Sequence, residues 1–136
     1  MTQQRVVIDT NVVLDLFVFG DAAALPLRQA LEDKKLDWVA TQPMREELER
    51  VLAYPQIVPR LAFYKLQAED VLATFDKHTR RVEVAIKAPV TCSDADDQGF
   101  IDLALAHKAL LFSKDKAVTS MAKRLLGLGV RVQFAI

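Results

Sequence analysis

The sequence is poor in residues that cross-link, bind soft metals or punctuate a chain: one cysteine, two histidines, four glycines and five prolines among 136 residues. The single Cys92 excludes an intrachain disulfide and makes a reducing cytoplasm the default. So little glycine and proline, beside 51% apolar and 26% charged residues, excludes collagen-like and disordered chains. No apolar run approaches the ~18–20 residues of a spanning helix, and Met1-Thr2-Gln3-Gln4-Arg5 lacks a signal-peptide layout. Both point to a cytoplasmic protein with no membrane partner. Charge of one sign is missing too: 18 basic residues balance 18 acidic ones, so any nucleic-acid contact must be local. Aromatic residues, at 7%, provide no evident platform for stacking bases. The length fits one domain, 1–136, since domains cluster around ~100–150 residues.

What is present alternates between strand and helix. Arg5-Val-Val-Ile-Asp9 is an apolar run ending in an acid, as in a strand buried on both faces of a parallel sheet. An apolar stretch, Val12 to Phe19, and a Gly20-Asp21 break precede a helix over about 22–34. Leu36 to Ala40 reads as a second strand, and a helix over about 43–53 follows, with Thr41 as N-cap and Pro43 in its first turn. Pro55 and Pro59 bracket a connector before helices at about 60–64 and 66–78. The alternation of Val82 to Ile86 predicts a third strand. The remainder predicts helix (about 95–107), strand (Ala109 to Phe112), helix (about 116–126), a Gly127/Gly129 turn and a strand from Val130 to Phe134. This is an α/β chain with a mainly parallel sheet.

Ligands of such sheets bind beyond the carboxyl ends of the strands, so polar residues at strand ends are the candidates. Asp9 ends the first strand, and Asp115 follows Leu110-Leu-Phe-Ser-Lys114; each alone could simply be a turn former or helix cap. On the helix from about 43, Glu47 flanks the apolar stripe of Met44, Leu48, Val51 and Leu52, whereas Glu46, Glu49 and Arg50 read as solvated charges. On the helix after Ala95, Asp97 aligns with Ile101, Ala104 and Lys108 within an apolar face, and Asp102 reads as a solvated charge. Ser93-Asp94-Ala-Asp96-Asp97 also suits a helix N-terminus, which makes one of Asp94 and Asp96 a cap. Carboxylates ~4 Å apart repel by ~4 kcal/mol at an effective dielectric of ~20, so a shared cleft demands protonation or a cation. With oxygen ligands alone, and with His78 and His107 both at helix ends, Mg²⁺ or Mn²⁺ fits better than zinc.

Four motifs now resemble a known family. Val7-Ile-Asp9-Thr-Asn11-Val12, Met44-Arg-Glu-Glu47-Leu48, Asp94-Ala-Asp-Asp97 through Ala106, and Phe112-Ser113-Lys-Asp115 resemble, in order, the acidic motifs of PIN-domain ribonucleases, and the small stand-alone members similar to VapC-type toxins most of all. The resemblance implies a three-layer α/β/α fold with a five-stranded sheet in the order 3-2-1-4-5. It implies an endoribonuclease hydrolysing RNA phosphodiesters with one or two Mg²⁺ or Mn²⁺ ions, which acidify a water and offset charge on the phosphate. By carry-over, Asp9, Glu47, Asp97 and Asp115 are the catalytic metal ligands, Asn11 supports Asp9, Ser113 orients the cluster, and Asp94 and Asp96 stand beside it. The step from Asp97 to Asp115 resembles that of VapC-type toxins. Family members often carry proline where Ala95 stands, which bears on the choice among the three aspartates and not on the chemistry.

Candidate RNA contacts are Lys114 and Lys116 beside Asp115, and a second patch of Lys77, Arg80 and Arg81; each has an ordinary surface role as its alternative. The family analogy implies a homodimer and an antitoxin partner, with Pro55–Pro59, Phe17, Phe19, Phe63 and Tyr64 as interface candidates. Two other readings are a catalytically silent PIN scaffold that binds RNA or protein, and a flavodoxin-like phosphoacceptor or phosphohydrolase. Against the last, Asp9-Thr10-Asn11 lacks the second acid of an Asp-x-Asp nucleophile motif.

Overall fold

The computed structural model describes residues 3–136; Met1 and Thr2, part of the opening segment considered above, lie outside the described residues. β1 (Gln4–Ile8) buries Val6, Val7 and Ile8 almost completely, because it lies between β2 (Leu36–Ala40) and β4 (Leu110–Phe112) with helices on both faces. β3 (Thr79–Arg81) and β5 (Val132–Gln133) form the edges of a five-stranded, all-parallel sheet in the order 3-2-1-4-5. The chain steps outward from β1 through β2 to β3 and then returns to the other side of β1, so its topological switch point lies between β1 and β4. The carboxyl ends of those two strands open the crevice in which such folds bind ligands.

Trp38 on β2 anchors one face of the sheet. It is 1% exposed, meets Phe75 of α5 (Ala68–His78) edge-on at 5.2 Å, and stacks with Phe17 at 6.0 Å. Phe17 lies in the apolar stretch after β1, which is helical: α1 (Thr10–Leu14) widens into a π turn over Asp15–Phe19 and stops at Gly20, whose φ of 57° is the left-handed cap that glycine adopts without strain. α2 (Leu25–Glu32) leads to β2, and α3 (Gln42–Leu52) and α4 (Val58–Phe63) precede α5. α3 begins as expected, with Thr41 Oγ1 accepting from the Met44 N–H.

Two expected elements shift, and so does the role of Asp102. The third strand is Thr79–Arg81, not Val82–Ile86: only Val82 extends the ladder, donating its N–H to the Ala40 carbonyl, while Val84 and Ile86 are exposed. β3 is a polar edge strand held by side-chain ion pairs, Arg80 on Asp37 and Arg81 on Asp76, so its sequence shows no apolar alternation. The segment 82–94 is instead an irregular connector pinned to α6 (Gln98–His107). Asp102 Oδ1 accepts from Ala88 N at 2.8 Å and Gln98 Nε2 at 2.7 Å, and Gln98 Oε1 accepts from Cys92 N at 2.7 Å. Asp102 is thus a structural acceptor and not the solvated charge its helical position suggested. The helix expected over 116–126 breaks into α7 (Lys116–Thr119) and α8 (Ala122–Gly127), where the Thr119 and Ser120 hydroxyls turn back onto the carbonyls of Lys116 and Ala117.

Replacing Asp102 with alanine leaves the Ala88 N–H without its acceptor and the Gln98 amide with the Val90 carbonyl alone. The expected cost is about 1–3 kcal/mol in urea unfolding, with faster amide exchange confined to residues 82–94.

Candidate metal centre

Each acid owes its position to a strand or helix end. Asp9 follows β1 directly, its N–H donating to the Phe112 carbonyl of β4, and its side chain caps α1 by accepting from Asn11 N. Asn11 therefore supports Asp9 through its backbone. Asp115, two residues beyond Ser113, caps α7 by accepting from Ala117 N at 2.9 Å. Ser113 ties the two strand ends together: its Oγ donates to Asp9 Oδ2 at 2.7 Å and accepts from Asp115 N at 3.1 Å. Ser113 is fully buried, so the link is shielded from water.

Asp97 enters from the third direction, in a 3-10 turn (Ala95–Asp97) leading into α6. It is 5% exposed, and its Oδ2 is buried with no hydrogen-bond partner. Carboxylate oxygens of Asp9, Asp97 and Asp115 lie within 4.8 Å of one another. Glu47, half-buried on α3, stands outside this trio and lines the same cleft, a space of about 250 Å³ that Asp94 and Asp96 also border. Asp94 is the cap among the disputed aspartates, accepting from Asp96 N at 2.9 Å.

The electrostatics match the crowding. Burial pushes the Asp97 carboxyl well above the ordinary carboxylate range, and the charges of Asp115, Asp9 and Asp94 add to the shift. Burial, with the charges of Asp9 and Asp96, raises Glu47 to about 7. Asp9 is raised by burial, against the lowering effect of the Ser113 and Asn11 hydrogen bonds. Among the described residues none of these four acids forms an ion pair. An orphaned buried oxygen beside two more carboxylates is a donor set suited to a hard divalent cation.

The cations do not gather at this cleft. Arg80 and Arg81 are paired with Asp37 and Asp76, and exposed Lys77 borders a different cleft with Gln3 and Lys34 near the amino ends of the strands. Lys114 is ion-paired with Asp15; Lys116 is exposed and makes no ion pair among the described residues. Sequence reasoning passed over Asp15, a buried acid whose only signal was its isolation in the apolar run from Val12 to Phe19.

Residues 5–117 match the PIN-domain family. The chain belongs to that family. No curated protein matches its sequence. Among solved structures, this PIN fold is similar to a chain in the crystal structure of VapBC2 from Rickettsia felis bound to a DNA fragment from their promoter. The TM-score is 0.62 at 12% identity, over 94% of this chain and 98% of that one.

The raised acids fix a pH dependence for the metal-free PIN domain. Unfolded carboxylates titrate near ~4, whereas folded Glu47 titrates at about 7 and Asp97 also lies high. Across that window the native state holds more protons than the unfolded chain, so stability falls as pH rises. Calorimetric melting in chelator is expected to give a higher Tm at about pH 5 than at about pH 8, with the difference shrinking in Asp97→Asn.

Proposed function

We propose that this chain is a divalent-metal-dependent endoribonuclease, the toxin half of a toxin–antitoxin pair, which hydrolyses RNA phosphodiester bonds. The reading takes residues 1–136 as one PIN-like domain that works in the cytoplasm as a homodimer. The observation that carries it is the Asp9–Asp97–Asp115 trio, with Asp9 and Asp97 buried, an Asp97 oxygen without a hydrogen-bond partner and no compensating cation among the described residues. The likeness to a VapBC2 chain supports an antitoxin partner, and the resemblance to VapC-type toxins supports RNA as substrate.

Asp9, Asp97 and Asp115 would hold Mg²⁺ or Mn²⁺. An ion bound there supplies positive charge for the phosphate oxygens and lowers the pKa of water. Ser113 orients two of the three ligands through one hydroxyl, restricting their rotamers as a supporting hydrogen bond does. Glu47, which lines the same cleft without belonging to the trio and whose carboxyl burial raises in the metal-free protein, is the side chain that would accept a proton from the attacking water. The proton leaves as the water oxygen bonds to phosphorus, and the bond to the leaving ribose oxygen breaks. Asp96 extends the negative wall. Lys116, free of an ion pair and one residue from Asp115, is the side chain best placed to meet an RNA phosphate, whereas Lys114 can do so only by leaving Asp15.

The test is cleavage of a mixed RNA pool with Mn²⁺ or Mg²⁺. Cutting is expected with the wild type, and both excess EDTA and Asp9→Asn should abolish it; cutting that persists unchanged in EDTA contradicts the proposal. Ser113→Ala is expected to retain the fold and weaken Mn²⁺ affinity by roughly 10–100-fold in calorimetry, the usual penalty for losing a ligand's supporting hydrogen bond.

A further inference from the structure

A second hollow adjoins the acid cleft. It runs between α3 and the start of α6, beneath the connector after β3, and encloses about 350 Å³. This is near the lower end of the ~300–1,000 Å³ typical of small-molecule pockets. The two spaces adjoin: Glu47, Tyr54 and Asp96 line both. A strand whose phosphate sits over the acid trio therefore has its neighbouring nucleotide at the mouth of this groove.

The lining says which part of that nucleotide enters. Met44 and Phe100, both buried, give it an apolar base, Ala85 of the connector forms a side, and Tyr54, 44% exposed, stands at the junction with a ring available for stacking. The charged wall is acidic: Glu47, Asp96 and Asp102 against one guanidinium, Arg50. Such a wall repels phosphate and favours the flat, apolar face of a base. Asp102 already serves Ala88 and Gln98. Glu47 is assigned to the scissile water in the reading above, and the Asp96 carboxylate, which has no donor among the described residues, is the acceptor that remains for a base. Guanine alone presents two N–H donors side by side, N1–H and the N2 amino group, to a single carboxylate. Uracil offers one N–H between two carbonyl oxygens that a carboxylate repels.

We propose that this groove is a base-selective subsite that takes guanine from the nucleotide adjoining the scissile phosphate. The assignment rests on the ribonuclease reading above for its place beside a scissile bond, while binding to the groove can be measured without cleavage. Gly99 provides the means to block it. It lines the groove from within α6, and a Cβ there would meet no atom within 4 Å, so the side chain of Gly99→Leu can leave the helix without a clash at its first carbon and occupy groove space.

The experiment titrates the ¹⁵N-labelled full chain, with Mg²⁺ present, with guanosine 5′-monophosphate and separately with uridine 5′-monophosphate, following backbone amides. The guanine nucleotide is expected to shift Met44, Ala85, Asp96 and Phe100 and to bind about tenfold more tightly than the uracil nucleotide, the discrimination of one good two-donor contact. Gly99→Leu should remove that preference while Mn²⁺ affinity stays within about twofold, since Gly99 does not line the acid cleft; Asp96→Asn should remove it as well. Equal binding of both nucleotides, no shift at these amides, or an unchanged preference in Gly99→Leu overturns the subsite. So does a response of these amides to arginine amide alone, which would make the groove a receptor for a basic protein segment. Guanine binding here without any metal-dependent RNA cleavage would contradict the ribonuclease reading and leave the base subsite standing.

Discussion

Mutual repulsion among carboxylates at the β1/β4 switch point is the constraint on which the rest of the site depends. Three acids share a space in which their oxygens lie within 4.8 Å, and among the described residues no lysine or arginine pairs with them. Burial and like charge drive Asp97, and Glu47 beside the trio, upward, so that the metal-free fold relieves the repulsion by holding protons there. A doubly charged ion satisfies the same electrostatic demand. Under the metal-dependent reading proposed above, proton and metal would compete for one set of oxygens, and pH would tune affinity as well as stability.

The scaffold holds the charges together with modest means. Asp9 and Asp115 each cap a helix, so backbone N–H groups offset part of the repulsion where the acids are anchored. Ser113 locks the two strand ends with one hydroxyl. Asp15 holds the ammonium of Lys114, the lysine next to Asp115 in sequence, so that among the described residues this charge is paired outside the trio. The network of Asp102, Gln98 and the connector then fixes the start of α6, from which Asp97 enters.

Much of this is legible in the sequence because the deciding signals are local. The apolar run before Asp9 marks a central parallel strand, and helical periodicity places Asp97 on a buried face, as the structure has it. Glu47 flanking the stripe of α3 corresponds to a half-buried side chain in the acid cleft. What resists reading depends on partners distant in the chain. Thr79–Arg81 becomes a strand through Asp37 and Asp76, not through its own pattern, so the alternation of Val82 to Ile86 misleads. Asp102 looks solvated on a helical wheel because the acceptor it provides serves a backbone 14 residues earlier. The division of the last helix likewise follows from hydroxyls turning back on the backbone, a weak local effect beside the strong periodicity of Val118, Met121 and Leu125.

The central claim is most directly tested by anomalous diffraction from crystals soaked in Mn²⁺. The account predicts a single dominant region of anomalous density bounded by Asp9, Asp97 and Asp115, with carboxylate oxygens about 2.0–2.3 Å from the ion. Saturating Mn²⁺ that leaves this cleft without density, or a lysine or arginine side chain found closing on the three acids instead, would contradict it.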